Sequence, residues 1–254
     1  MGATDWSTCD SGRSFAAIDF ETATSERSSA CAVGVVVFNQ GSPVARQRLL
    51  IRRPGNRFDP FNVVLHGIGP ADTRDSPPFP EVWEQVAGML DGHLVVAHNT
   101  AFDMSVLRRS AEHYDYGPEP FPFACTYRLA RSAMPEARSW GLKALAAEFG
   151  IPLTHHDPLS DAQAAGGLWL ALPERFNTTH PELLARHEFR LATPTIEHAP
   201  PPCHTTMRKP LHNATARNPD EHLRPSGLLR RRCRAAALTL ADVDVDGVVP
   251  HGVR

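Results

Sequence analysis

No stretch of this sequence is apolar for long enough to cross a bilayer. The longest apolar run, residues 31–38, is well short of the ~20 residues a spanning helix needs, and it reads instead as a buried strand. Nor is a secretory leader expected, because the first thirteen residues carry Asp5 and Asp10 and no apolar centre. Gly2 is followed by Trp6 where an N-myristoylation signal has Ser or Thr. The five cysteines (Cys9, Cys31, Cys125, Cys203, Cys233) form no Cys-x-x-Cys pair, which argues against a disulfide framework and for reduced thiols in a cytoplasmic protein. Finger spacing is lacking among Cys203, His204, His212, His222 and Cys233, so a zinc module is not expected there. No internal repeat is apparent. Nor is there an excess of positive charge: 26 Lys/Arg stand against 28 Asp/Glu, a net of −2. Residues 195–254 contribute nine basic and six acidic side chains, +3, which leaves −5 on the first 194. An acidic body excludes a purely electrostatic nucleic-acid binder. It suits a site that recruits cations first and phosphate second.

What is present is an α/β pattern up to about residue 192. Residues 15–20 and 31–38 read as buried strands and 44–52 as a more amphipathic third, with Gly41-Ser42-Pro43 as the turn of a hairpin. A polar loop follows. Phe79, Val82, Trp83, Val86 and Leu90 then recur at helical spacing. A short strand is expected at 93–97, and helices at 101–113, 127–134, 142–149 and 161–172. Strands first and interleaved helices later predict a mixed, partly antiparallel β-sheet flanked by helices. The expected organisation is an N-terminal flexible segment (1–13), one catalytic domain (14–192), and a Pro/Arg-rich tail (193–254) without its own core, containing Pro200-Pro201-Pro202 and Arg230-Arg231-Arg232.

Three segments hold carboxylates where packing would favour apolar residues. Asp19 and Glu21 are two apart on a strand, so they share one face while Phe20 points the other way. Asp103 could close a capping box with Thr100, yet Val106 and Leu107 place it on the buried stripe of its helix. Asp161 has Ala165 and Leu168 on the same face, with Ser160 and Gln163 as a candidate capping box and His156 in the preceding Pro-containing loop. Four inward-facing carboxylates at element ends suit hard divalent cations with oxygen ligands.

These motifs resemble the DEDDh family of 3′–5′ exonucleases. The first is Ile18-Asp19-Phe20-Glu21-Thr22, the second His98-Asn99-Thr100-Ala101-Phe102-Asp103, and the third His156 with Asp161 five residues later. Leu65-His66-Gly67-Ile68 and residues 125–131 (Cys-Thr-Tyr-Arg-Leu-Ala-Arg) resemble supporting family stretches. The resemblance implies an RNase H-like core and two Mg²⁺ ions, or Mn²⁺. Asp19, Glu21 and Asp161 would hold the water-activating metal, Asp19 would bridge to the second, Asp103 would complete the acidic set, and His156 would be the general base. Phe20, Thr22, Leu65, His66, Gly67, Ile68, Asn99 and Phe102 would hold the terminal nucleotide. The expected activity is removal of nucleoside monophosphates from a single-stranded 3′ end. DNA is placed ahead of RNA because the pattern is more like the proofreading epsilon subunit of bacterial DNA polymerase III than like oligoribonuclease. A DNA polymerase is then a candidate partner, and no membrane is involved. An RNA-trimming enzyme with the same site is the nearest alternative. A silent nucleic-acid- or polymerase-binding module is the alternative of another class.

Overall fold

The computed structural model describes residues 12–187. The expectations for residues 1–11, for 188–192 and for the tail lie outside the described residues. Gly12 and Arg13, expected in the flexible N-terminal segment, are tied to the domain. The Gly12 carbonyl accepts from Trp169 Nε1 at 2.9 Å, and Arg13 pairs with Glu174 at 3.2 Å.

Among the described residues, five strands form one sheet in the order β3-β2-β1-β4-β5. β1 (Phe15–Thr22), β2 (Ala30–Asn39) and β3 (Ser42–Leu50) make an antiparallel meander, and β4 (Val95–Ala97) and β5 (Phe123–Cys125) add parallel to β1. Gln40 and Gly41 both have positive φ (52° and 79°) and join the facing pair Asn39 and Ser42. The turn is therefore a two-residue hairpin turn one step earlier than the Gly-Ser-Pro reading, since positive φ at both central positions matches the strand twist. Pro43 falls inside β3 instead, opposite Phe38 beside a bulge, which an edge strand tolerates. β3 is exposed over its first seven residues. The expected half-buried amphipathic strand is a solvated edge carrying Arg46 and Arg48.

The helices are α1 (Pro60–His66), α2 (Phe79–Leu90), α3 (Thr100–His113), α4 (Thr126–Ala133), α5 (Leu142–Glu148), α6 (Pro158–Arg175) and α7 (His180–Arg186). They cover both faces of the sheet, and the two-residue period of β1 sorts its side chains between them. Ala16, Ile18 and Phe20 pack with Phe79, Val82 and Trp83 of α2 and Val106 and Leu107 of α3. Phe15 and Ala17 pack with Leu129, Leu145, Leu168 and Trp169 on the other face. β2 is buried on both sides, which accounts for its unbroken apolar run. Among the described residues, no helix is long and apolar enough to cross a membrane.

Two glycines set how closely α6 approaches the sheet. A Cβ on Gly34 would stand 2.0 Å from the Pro158 carbonyl oxygen, and one on Gly166 would stand 2.4 Å from the Phe38 ring. Gly34 is also the register partner of Asp19, so the first turn of α6 comes down beside the acidic end of β1.

Candidate metal centre

Continuing the β1 alternation, Asp19 and Glu21 take the same face as Phe15 and Ala17, the face that α6 covers. A Val or Ile buried there would contribute roughly 1.5–3 kcal/mol, and a charged group forfeits this and adds a desolvation cost. Asp161, in the first turn of α6, is 4% exposed. Carboxylate oxygens of Asp19, Glu21 and Asp161 all lie within 4.8 Å of one another. The structure thus brings together three of the four expected acids from two distant segments.

Asp103 stands beside them. β4 ends at Ala97, and the chain turns through Asn99 (φ 62°) into α3. Ala16 N–H donates to Leu94 O, and by the strand period Phe20 N–H points to the same edge, beyond the last residue of β4. Asp103 Oδ1 fills that gap, accepting from Phe20 N at 3.0 Å. The expected Thr100–Asp103 capping box is not formed. Thr100 Oγ1 donates instead to Ala97 O and Ala124 O, because the left-handed Asn99 turns the helix start toward the β4 and β5 ends. The Ser160–Gln163 box is likewise replaced. α6 starts three residues earlier than expected, with Pro158 at its first position, and Asp157 is the cap, accepting from Ser160 N at 2.9 Å.

Asp161 Oδ2 accepts from His155 Nδ1 and from His156 N–H, each at 3.0 Å. His156 has φ 69°, and its ring stacks on His155 at 3.8 Å. Nitrogens of both histidines lie within 4.8 Å of an Asp161 oxygen. His155 was not singled out in the sequence. Its only signal there is adjacency to the His that carries the motif spacing.

Two buried oxygens, Asp161 Oδ1 and Asp103 Oδ2, lack a hydrogen-bond partner among the described residues. Burial pushes the carboxyls of all four acids up. For Asp19 the charges of Asp103, Glu21 and Asp161 add to it. Glu21 is pushed up to about 8 by burial and then by Asp161 and Asp103. Asp103 also reaches about 8 despite the opposing Phe20 N–H. Asp161 is raised less strongly, because the His156 N–H and His155 oppose burial. Crowded oxygen donors with unsatisfied lone pairs fit a hard divalent cation, which would remove this repulsion.

A pH dependence follows. In the metal-free protein the folded state keeps protons on Glu21 and Asp103 that the unfolded chain has released. Stability from these groups therefore falls as pH rises from about 4.5 toward about 8. A saturating divalent cation replaces those protons, so the melting-temperature gain from Mg²⁺ over EDTA should widen between pH 5 and pH 8.5. Thermal melts under the two conditions measure this, and a constant gap would contradict it.

The expected nucleotide-holding residues divide into two groups. Phe20 and Ile68 are 2% and 1% exposed. Phe20 stacks on Trp83, so both side chains belong to the core and neither is presented to a ligand. This corrects the expectation for their side chains. His66 is a buried bracket: Nδ1 accepts from Ile68 N at 3.1 Å and Nε2 lies 3.2 Å from Thr22 O. Gly67 is the left-handed C-cap of α1. Thr22 is buried, with its carbonyl also held by Asn62 Nδ2 at 2.8 Å. Leu65 and Asn99 are exposed, and Phe102 is half-buried beneath the Arg27 guanidinium at 4.2 Å. α1, missed in the polar loop, additionally exposes Phe61 and Val64 at 73% and 86%.

Residues 16–168 match the exonuclease family. The chain belongs to that family. Similar proteins include a DNA polymerase III of PolC type from Oceanobacillus iheyensis, 32% identical over 123 residues, which cover 48% of this chain and 9% of the polymerase. The PolC-type polymerase of Lactococcus lactis is 28% identical over 147 residues, 58% of this chain and again 9% of the polymerase. The exonuclease thus spans about 9% of the length of these relatives. Among solved structures, Exonuclease X in complex with 5′-overhanging duplex DNA superposes with a TM-score of 0.55 at 23% identity, covering 68% of this chain and 99% of that one. The nuclease domain of 3′hExo, a DEDDh member bound to rAMP, gives 0.57 at 17% identity, over 71% and 96%. At these identities the structures show the fold, and it is the RNase H-like fold expected from the motifs.

Proposed function

We propose that this exonuclease removes nucleotides from the 3′ end of single-stranded DNA and releases nucleoside monophosphates. The observation that carries the reading is the convergence of Asp19, Glu21 and Asp161 within 4.8 Å, with a buried Asp161 oxygen left without a partner among the described residues. Asp19, Glu21 and Asp161 would hold one Mg²⁺ or Mn²⁺, and Asp19 with Asp103 would serve a second. Cations bound there supply charge stabilisation to both the attacking and the leaving oxygen of the phosphodiester. The rest falls to the protein's own groups. His156 takes the proton from the attacking water. Burial and the adjacent His155 hold its pKa below the usual value, so the ring is neutral and able to accept at pH 7. His155 positions Asp161 through their 3.0 Å hydrogen bond. Leu65 and Phe102 pack on the unstacked terminal nucleotide, Asn99 contributes polar contacts, and Thr22 and the α1 C-cap shape the floor. Contacts of this kind read no base identity, so many sequences should be accepted.

The polymerase relatives and the DNA-bound Exonuclease X support DNA and a proofreading or repair setting in the cytoplasm, with a DNA polymerase as partner. An RNA-trimming role is the second reading, favoured by the rAMP-bound relative. Matched deoxy- and ribo-oligonucleotides assayed side by side separate the two. A faster rate on RNA overturns the DNA assignment.

His156→Ala should lower turnover by about 10²–10⁴-fold with cation affinity retained. His155→Ala should instead raise the cation concentration needed for half-maximal rate. Titrating Mn²⁺ against initial rate checks both. Normal turnover of His156→Ala at saturating cation would remove it from the base role.

A further inference from the structure

We propose that a basic pocket between the start of the β3–α1 connection, the end of the α1–α2 connection and the end of α3 is a second phosphate site. It takes a backbone phosphodiester of the substrate strand upstream of the cleaved bond, an inference that rests on the exonuclease reading above. The pocket has a volume of about 410 Å³ and is lined by Arg52, Arg53 and Arg74 together with Pro54, Pro78 and Tyr114. No carboxylate lines it. Glu26, the one acid among the described residues that pairs with a lining arginine, is 68% exposed and 3.6 Å from Arg53.

Two of the three guanidiniums are held in place before any ligand arrives. Arg52 Nε donates to Ser76 O at 3.1 Å, and Arg53 Nη1 donates to Arg57 O at 3.0 Å. Arg53 is 15% exposed, and its buried Nε has no hydrogen-bond partner among the described residues. Arg74 is exposed and makes no ion pair among the described residues. A guanidinium carries five donors in a planar fork suited to phosphate, and three arginines stand among the lining residues with no acid beside them. Tyr114 and the two prolines add flat apolar walls of the kind sugars and bases pack on.

Position points to the substrate strand. Glu26 and Arg27 are adjacent in the segment that directly follows β1. Glu26 reaches Arg53 while Arg27 lies over the Phe102 ring. One pair of consecutive residues therefore links the pocket to the ring proposed to hold the terminal nucleotide. A strand leaving that ring past Arg27 runs toward the arginines.

The test uses full-length protein, Arg74→Glu, and the double variant Arg52→Gln/Arg74→Gln, compared on two substrates. A twelve-nucleotide single strand can occupy both sites, whereas p-nitrophenyl thymidine 5′-monophosphate has one phosphodiester and cannot. On the oligonucleotide the variants should raise KM on the order of ten-fold at unchanged kcat. The salt dependence of log KM should also flatten by about 0.7 per lost phosphate contact. On the small ester they should match wild type. Anisotropy of the labelled oligonucleotide in EDTA reads the pocket without catalysis, so a roughly ten-fold weaker complex would support the proposal even if the exonuclease reading failed. Unchanged oligonucleotide KM and affinity would overturn it. Equal losses on both substrates would also overturn it, because the arginines would then act through the fold or the cleavage site. A third contrary result is calorimetric binding of inorganic phosphate or thymidine monophosphate that the variants abolish while oligonucleotide KM stays unchanged. That would assign the pocket to a free anion.

Discussion

Asp19→Asn should abolish cation-dependent release of mononucleotides, by on the order of 10³-fold or more, while the protein stays folded. The substitution keeps the shape of the side chain and removes one of three carboxylates that share a 4.8 Å cluster. Asp19 is the residue most burdened by its neighbours, with burial, Asp103, Glu21 and Asp161 all disfavouring its charge. A neutral amide relieves that repulsion. In EDTA at pH 8 the variant should therefore melt at the wild-type temperature or slightly above it. Added Mg²⁺ should then no longer raise the melting point as it does in wild type. Activity lost together with a large drop in melting temperature would instead make Asp19 a structural residue. Activity retained would remove it from the metal site.

Gly34→Ala should damage the enzyme without touching any ligand. Its new Cβ would meet three backbone atoms of the α6 start, Pro158 O at 2.0 Å, Pro158 C at 2.2 Å and Leu159 N at 2.5 Å. Backbone cannot swing aside as a flexible side chain can, so the first turn of α6 must shift by about an ångström, at an overpacking cost of roughly 1–3 kcal/mol. Asp161 sits in that turn and would move with it. A displacement of about 1 Å at a reacting centre can cost ~10²-fold in rate, and the cluster should lose cation affinity as well. Gly88→Ala is the matched control. It lies within α2 with nothing within 4 Å of the added carbon, so it should be neutral or stabilise the helix by up to about 1 kcal/mol. Steady-state kinetics and thermal melts on the pair read both effects. A Gly34→Ala enzyme indistinguishable from Gly88→Ala would show that α6 is not seated against β2 as described.

The sheet, its flanking helices and the acids were legible in the sequence because they rest on simple periods. Alternation on β1 places Asp19 with Glu21 and away from Phe20, and the 3.6-residue stripe turns Asp103 and Asp161 inward. The capping boxes were not legible in this way. Thr100 and Ser160 have the right spacing from Asp103 and Gln163, but tertiary partners outcompete the local bond. The unpaired Phe20 N–H beyond β4 takes the Asp103 carboxylate, and Thr154 N–H takes the Ser160 hydroxyl. Gly34 reads as one more small residue in an apolar strand until the position of α6 is known. β5 is too short to show alternation, and α1 hides in a Pro-, Gly- and Asp-rich loop while exposing Phe61 and Val64, so no buried stripe marks it. Phe20 and Ile68 lie inside family-like motifs, and motif membership alone does not reveal that the sheet face and the α1 cap turn their side chains into the core.

The proposed function requires that oxygens from β1 and α6, with Asp103 beside them, form a cation-dependent centre acting on 3′ ends. A time course on 5′-labelled single-stranded DNA, run with Mg²⁺ and again with EDTA, tests it most directly. With Mg²⁺ the label should descend a ladder one nucleotide at a time, and with EDTA the strand should remain intact. Shortening that ignores the chelator, or immediate release of the label from the 5′ end, would contradict the account.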